Sequence, residues 1–266
     1  MMTELPEPFY RAINAAIEGG FSVMDVFESG EFDTKLKGDN SPVTKADLDS
    51  SEVISEILEA TKIPILSEEG TEDTFEERKK WDLLWVVDPL DGTKEFIKRT
   101  NEFSVNIGCV ENGVAIFGVI YIPVSQEVFF GGTEYGAFKL DYDDEKPFSR
   151  QIENAVRLKP PSKNKEVLIV TGGSEAEFDF YKNAEVLKSY TYDSMEFQKL
   201  SSAIKFCRIA EGVMDIYPRD YPCMEWDTAA GQAILNGIGK DLYDMETGKI
   251  MRYNKESLYV PFFIVA

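Results

Sequence analysis

The chain has 266 residues, 43% of them apolar and 12% aromatic, enough for one large core or two fused halves and too apolar for disorder. Its net charge of −20 opposes nucleic acid and anionic lipid, and suits a small anionic substrate only where divalent cations invert the local field. Histidine is absent, which excludes Ser-His-Asp catalysis, histidine-nucleophile phosphatases and His-ligated zinc.

Any chemistry must therefore come from carboxylates, hydroxyls, lysines or metals held by oxygen. Cys109, Cys207 and Cys223 are widely spaced and odd in number, with no CxxC pair and no C-x5-R loop, so disulfides, a zinc site and a cysteine phosphatase are not expected. The start lacks a basic and then apolar leader, and no apolar run approaches the ~20 residues of a membrane span. A soluble, cytoplasmic protein without a transmembrane segment is expected.

Phe9, Ile13, Ile17, Met24 and Phe27 recur at helical spacing and predict an amphipathic helix over Pro8–Phe27. After the polar break Lys37–Pro42 comes a second helix, with Asp47 at or just before its first turn and Val53, Ile54, Ile57 and Leu58 on its inner side. Ile63–Leu66 is a short buried strand ending at Ser67-Glu68-Glu69, and Leu83–Val87 a central strand that exits at Asp88-Pro89. Phe103–Val110 and Val114–Tyr121 flank Asn112-Gly113, a hairpin signal, and Glu127–Phe130 and Gly136–Leu140 continue as strands. Residues 1–145 thus form an α+β half with a helix pair and a largely antiparallel sheet, closed by the charged turn Asp141–Pro147.

Residues 146–266 alternate strand and helix and predict an α/β half. Val167–Val170 is a strand, Ala176–Ser189 and Ser201–Glu211 are helices, and Met214–Tyr217 is a short strand. Trp226–Leu235 is a helix rich in small residues and Phe262–Val265 the final strand.

The segment Val87-Asp88-Pro89-Leu90-Asp91-Gly92-Thr93 carries the chemistry. Two carboxylates three residues apart leave a buried strand, followed by a glycine that permits close approach and a hydroxyl that opens a helical stretch. Carboxylate and carbonyl oxygens are what a hard cation such as Mg²⁺ requires. Alone, the string also fits a capped turn with incidental surface acids, and Asp227, at a helix start, fits an ordinary N-cap. Most of the remaining acids read as solvated helix surface.

The combination is more specific. Ser41-Pro42-Val43-Thr44…Asp47, Ser67-Glu68-Glu69, Asp88-Pro89-Leu90-Asp91-Gly92-Thr93 and Trp226-Asp227-Thr228-Ala229-Ala230-Gly231, in this order over the whole chain, resemble the inositol monophosphatase family. Lys94–Arg99, Ser202–Cys207 and Tyr217-Pro218-Arg219 resemble its bacterial 3′(2′),5′-bisphosphate nucleotidase branch. The resemblance implies a layered αβαβα sandwich of the sugar-phosphatase type. It also implies Mg²⁺-dependent conversion of adenosine 3′,5′-bisphosphate to AMP and phosphate, with the corresponding 5′-phosphosulfate as a further substrate.

Two to three Mg²⁺ ions are implied. Glu68, Asp88 and the Leu90 carbonyl would hold the first; Asp88, Asp91 and Asp227 the second; Glu68 and Asp47 a weaker third. Metals about 4 Å apart can serve the attacking and leaving oxygens of one in-line displacement. Thr93, backed by Asp47, would take the proton of the attacking water, and the Gly92 and Thr93 amides would cradle the phosphate. Glu68, Leu90, Asp91 and Asp227 would then also border the substrate, Lys205 and Arg219 would meet its second phosphate, and Ser202 the nucleotide. Lithium sensitivity is implied, and peripheral attachment to the inner membrane is compatible with the resemblance. The stretch Thr171-Gly172-Gly173-Ser174 departs from the basic or His-containing segment common in such nucleotidases, which leaves the base-side contacts open. Inositol monophosphate or fructose 1,6-bisphosphate remain alternative substrates. So do two other readings: a haloacid-dehalogenase-type phosphatase, whose two aspartates would be two apart, and a non-catalytic nucleotide or metal sensor.

Overall fold

In the computed structural model, which describes residues 5–38, 41–70, 73–173 and 185–265, Pro6 leads into α1 (Glu7–Ser29). Proline suits a helix start, where its missing N–H would have been unbonded in any case. A two-residue hairpin, β1 (Lys35–Leu36) against β2 (Pro42–Val43), precedes α2 (Lys45–Glu59). Thr44 caps α2 by accepting the Ala46 N–H, while Asp47 reaches back to accept the Thr44 N–H.

The main sheet has seven strands in chain order: β3 (Ile65–Ser67), β4 (Leu83–Asp91), β5 (Ser104–Glu111), β6 (Val114–Ile122), β7 (Glu127–Gly132), β8 (Gly136–Asp141) and β9 (Val156–Arg157). Only β3 and β4 pair in parallel; the rest is an antiparallel meander. Because β9 joins this sheet, the chain beyond the charged turn still contributes to it. Along β4, Trp85 and Val87 pack with α1 and α2, whereas Leu84 and Val86 pack with the C-terminal half. Cover on both faces explains why the strand reads as one unbroken apolar run. The strand does not end at Asp88-Pro89 as its sequence suggests. It continues to Asp91, with a break in its register against β5 between Asp88 and Asp91. Such an irregularity re-aims side chains that a regular ladder would hold on alternating faces.

The far face of the sheet carries α5 (Ile204–Ala210) and α6 (Ala229–Asn236), which follow the short α3 (Phe75–Arg78) and α4 (Thr93–Lys98) in the chain. A Cβ on Gly118 of β6 would lie 2.2 Å from Ala230 O, so the bare glycine is what lets α6 lie this close to the strand. Beyond these helices β10 (Asn164–Gly172) pairs in parallel with β11 (Thr191–Lys199). β12 (Tyr217–Arg219), β16 (Phe263–Val265) and β14 (Leu242–Asp244) make an antiparallel group, joined to β10 by a parallel bridge between Val170 and Ile216. The small pair β13 (Cys223–Met224) and β15 (Tyr259–Val260) stands beside them.

The layers are thus α1–α2, the seven-stranded sheet, α5–α6 and the C-terminal sheet. They match the αβαβα sandwich expected, four of whose layers lie among the described residues. Further local expectations change: the strand expected over Met214–Tyr217 begins only at Tyr217, and the helix expected from Trp226 begins at Ala229. The helix expected at 176–189 lies outside the described residues except for its end, where Glu185–Ser189 is a 3-10 helix. The helix expected from Ser201 begins only at Ile204, and Ser202 adopts φ 59° ahead of it. Ser202 and Lys205 therefore do not share a helical face.

Candidate active site

The register break in β4 and the turn before α6 bring three acids together. Asp88, Asp91 and Asp227 each offer a carboxylate oxygen within 4.8 Å of the others. Asp88 is only 1% exposed, and its Oδ1 accepts the Leu90 N–H at 3.0 Å, a tight local turn that also fixes the direction of the Leu90 carbonyl. Asp91 Oδ2 accepts from Ser202 Oγ at 2.8 Å, from the Ala203 N–H and, more distantly, from Asn106 Nδ2 at 3.4 Å. Asp227 closes the 3-10 turn Glu225–Asp227, its Oδ2 accepting the Met224 N–H at 2.8 Å. Thr228 occupies the N-cap of α6, so Asp227 does not have the capping role its position suggests. The turn is pinned from beneath by the fully buried Glu225, which accepts the N–H groups of Asn254 and Lys255.

Beside this triangle stands a hydroxyl–carboxylate pair. Thr93 Oγ1 lies 3.1 Å from Asp47 Oδ1 and 3.3 Å from the Leu90 carbonyl. Asp47, 3% exposed, has its Oδ2 occupied by the Thr44 N–H and hydroxyl at 2.7 and 2.6 Å. The acid that completes the capping box of α2 is thereby also the partner of Thr93. Gly92 makes the link sterically possible: its φ is 96°, and a Cβ there would sit 2.7 Å from Glu102 O.

Glu68 follows β3, and its N–H bonds Val87 O at 3.1 Å. Its carboxylate stands outside the triangle and pairs with Lys37 Nζ at 2.7 Å, and Lys37 also pairs with Glu69. A cleft of about 540 Å³ is lined by Glu68, Asp88, Leu90, Asp91, Gly92, Thr93, Ser202, Lys205, Arg219 and Asp227, that is, by every candidate from the sequence except Asp47, which lies behind Thr93.

Lys205, 3% exposed, reaches the cleft while Nζ donates to Ser202 O at 2.7 Å and Leu200 O at 3.2 Å. Arg219 Nη1 donates to Tyr217 Oη at 3.0 Å, and its guanidinium lies 4.2 Å from the Tyr221 ring centroid. Both cations face the acids across the cleft. Of the departing segment, Thr171 and Gly172 end β10 and Gly173 lines the cleft, while Ser174 lies outside the described residues.

Crowded, buried carboxylates resist ionisation. Burial pushes Glu68 up to about 7, with Lys37 opposing the shift. Burial and then the charge of Asp91 raise Asp227 to about 6, with Arg219 opposing. Asp88 is held well above the carboxylate range by burial and by Glu68, Asp91, Asp227 and Asp47. Asp47 is raised by burial despite its hydrogen bonds. An oxygen-only cluster whose negative charges oppose one another is a fitting cradle for a hard divalent cation, which would relieve that repulsion.

Sequence patterns do not single out Lys37, which holds Glu68, Asn106, which reaches Asp91, or Glu102, whose carboxylate accepts the Ser201 N–H at 2.9 Å. Lys37 could have been suspected only as a cation in the polar break before a cap. Asn106 is a polar residue in a buried strand, a sign worth reading.

Comparisons with known proteins place nearly the whole chain. The inositol monophosphatase family matches residues 5–262. The 3′(2′),5′-bisphosphate nucleotidase CysQ of Shigella flexneri is 39% identical, with 94% of this chain and 96% of that protein covered, and its counterpart from Escherichia coli K12 is 38% identical over the same shares. The crystal structure of CysQ from Bacteroides thetaiotaomicron superposes with a TM-score of 0.80 at 40% identity, covering 96% of this chain and 95% of that one. No helix among the described residues is long and apolar enough to cross a membrane. The chain belongs to the inositol monophosphatase family.

Proposed function

We propose that this protein is a Mg²⁺-dependent phosphatase that removes the 3′-phosphate of adenosine 3′,5′-bisphosphate, giving AMP and phosphate by direct attack of water. The observation that carries the proposal is the convergence of Asp88, Asp91 and Asp227 beside the Thr93–Asp47 pair in one cleft. The high identity to nucleotidases along nearly their whole length supports the substrate class.

Asp88, Asp91 and Asp227, with Glu68 and the Leu90 carbonyl, would hold two Mg²⁺ ions, and Glu68 with Asp47 a third. When bound, the cation supplies positive charge that draws the phosphoryl oxygens in and makes water acidic enough to attack near neutral pH. Thr93 Oγ1 takes the proton of the attacking water while passing its own to Asp47 Oδ1. Asp47 suits that receipt because burial makes it more basic than an ordinary carboxylate. The Gly92 backbone borders the phosphate without a side chain in the way. Arg219 and Lys205 bring positive charge to the 5′-phosphate, and Ser202 would border the ribose. In this reading residues 1–145 carry most of the metal ligands, while residues 146–266 bring Asp227 and the nucleotide side.

Phosphate release from adenosine 3′,5′-bisphosphate, the 5′-phosphosulfate, inositol monophosphate and fructose 1,6-bisphosphate, each with and without Mg²⁺, tests the proposal. The nucleotides should have the highest kcat/KM and need the metal. Faster turnover of the sugar phosphates would overturn the substrate, and binding without any turnover would favour a sensor.

A further inference from the structure

Lys240 lies outside the cleft, follows α6, and is only 7% exposed. Its Nζ donates to Tyr190 Oη at 2.6 Å and to the Asp215 carbonyl at 2.9 Å, and sits 5.4 Å from the Tyr190 ring centroid. All of these partners are uncharged. The Asp215 carboxylate is committed elsewhere, with Oδ1 2.7 Å from Lys165 Nζ and Oδ2 accepting the Ile169 N–H at 2.9 Å. Burial pushes Lys240 down to about 8, with Asp215 opposing the shift and Lys163 and Lys165 assisting it. A desolvated ammonium with neutral partners is one that a counter-ion would stabilise.

Lys240 and Tyr190 line a cavity of about 620 Å³ that shares no residue with the cleft. Lys163 lies on the same wall, 6.0 Å from the Tyr190 ring centroid, and makes no ion pair among the described residues. Tyr190 is kept neutral by burial, its pKa pushed up to about 12. Because its oxygen accepts from Lys240, the phenol proton remains a donor, and it has no acceptor among the described residues. The lining also includes the apolar or aromatic residues Ile238, Tyr243, Met245 and Ile264. The one acid among the described lining residues, Asp244, turns its Oδ1 to the N–H groups of Glu246 and Thr247.

We propose that this cavity binds a small aromatic anion, with Lys240, Lys163 and the Tyr190 hydroxyl on its acidic group and the apolar wall against its ring. Charge complementarity argues for the anion: two lysines without an ion-paired carboxylate among the described residues share one pocket in a chain of net charge −20. The apolar part of the lining argues for the ring, since apolar surface removed from water adds to binding. The cavity and the cleft stand at opposite ends of the same elements. Lys163 precedes β10 and Gly173 follows it; Asp227 precedes α6 and Lys240 follows it.

Pyridoxal 5′-phosphate, an aromatic anion with an aldehyde, serves as the probe on the wild-type protein. The unprotonated lysine amine adds to the aldehyde, water leaves, and the resulting C=N bond is reduced to a secondary amine by hydride from added borohydride. At substoichiometric reagent the label should concentrate on Lys240, as mapped by peptide mass spectrometry, and an excess of 1-anilinonaphthalene-8-sulfonate should suppress it at least tenfold. Label scattered over exposed lysines with Lys240 untouched would overturn the proposal. Fluorescence titration with the sulfonate should show one site, weakened tenfold or more in Lys240→Met and severalfold in Lys163→Met. The uncharged N-phenyl-1-naphthylamine should bind at least tenfold less well. Lys163→Met, on a more exposed side chain, keeps the test open should Lys240→Met fail to fold. Unchanged affinity in Lys163→Met, or equal binding of the uncharged analogue, would reject the site.

Discussion

Thr93 Oγ1 and Asp47 Oδ1 meet at 3.1 Å although 46 residues separate them in the chain. The head of α2 and the end of β4 converge there, and the other Asp47 oxygen is fully engaged by Thr44. Only Oδ1 is left to receive a proton from the cleft side. Thr93→Ala should lower kcat by about 10²- to 10⁴-fold, the usual span of a general acid–base contribution, while Thr93→Ser keeps most of the rate. Steady-state kinetics on the bisphosphate decide it, and an alanine variant at half the wild-type rate would remove Thr93 from the mechanism.

Asp88→Asn should abolish turnover, because one buried side chain faces Glu68, Asp91, Asp227 and Asp47 at once. The metal-free variant should melt at or above the wild-type temperature, since a neutral amide relieves the repulsion. Activity and a thermal melt in chelator give the two readouts. A variant that folds and turns over normally would contradict the placement of the metal.

The pH dependence of the metal-free protein has a definite sign. Glu68, Asp88 and Asp227 have folded pKa values raised above those of the unfolded chain, so the stability they contribute is present at low pH and is lost as pH climbs, for Asp227 through about 6 and for Glu68 through about 7. Between pH 5.5 and 7.5 Glu127, lowered to about 2 with Arg208 and Lys139 as its hydrogen-bond partners, is already fully ionised and adds no slope. The melting temperature in chelator should therefore fall by several degrees across this window. Saturating Mg²⁺ at pH 7.5 should restore it. A flat or rising profile in chelator would show that the acids do not crowd one another.

Gly92→Ala combines a left-handed backbone with a contact of 2.7 Å to Glu102 O. It should destabilise the fold by about 1–3 kcal/mol, the range for a strained non-glycine residue, and should lower kcat by displacing Thr93. Urea unfolding beside kinetics measures both, and an unaffected variant would mean that the β4–α4 corner relaxes freely.

Lys205→Met removes a cation that faces the cleft and also holds the Leu200 and Ser202 carbonyls. KM should rise about tenfold or more for adenosine 3′,5′-bisphosphate and much less for a 3′-monophosphate. Equal changes for both would assign Lys205 to bracing the loop alone.

Local chemistry made much of this protein legible from its sequence. Helical spacing marked α1 and α2, the Asn112-Gly113 turn marked the β5–β6 hairpin, and the unbroken apolar run of β4 announced a strand covered on both faces. The absence of histidine limited the chemistry to oxygen ligands and hydroxyls. Those signals act over a few residues, which is why they survive in a linear reading. Tertiary structure decided what no local period encodes: that Lys37 holds Glu68, that Asp91 takes Ser202 from 111 residues away, and that Ser202 stands in a left-handed turn ahead of α5. It also set the register break that carries β4 on to Asp91, and it sank Lys240 beside Tyr190. Each of these depends on which surfaces the packed layers press together, and with them on the burial that sets the charge of every acid and lysine involved.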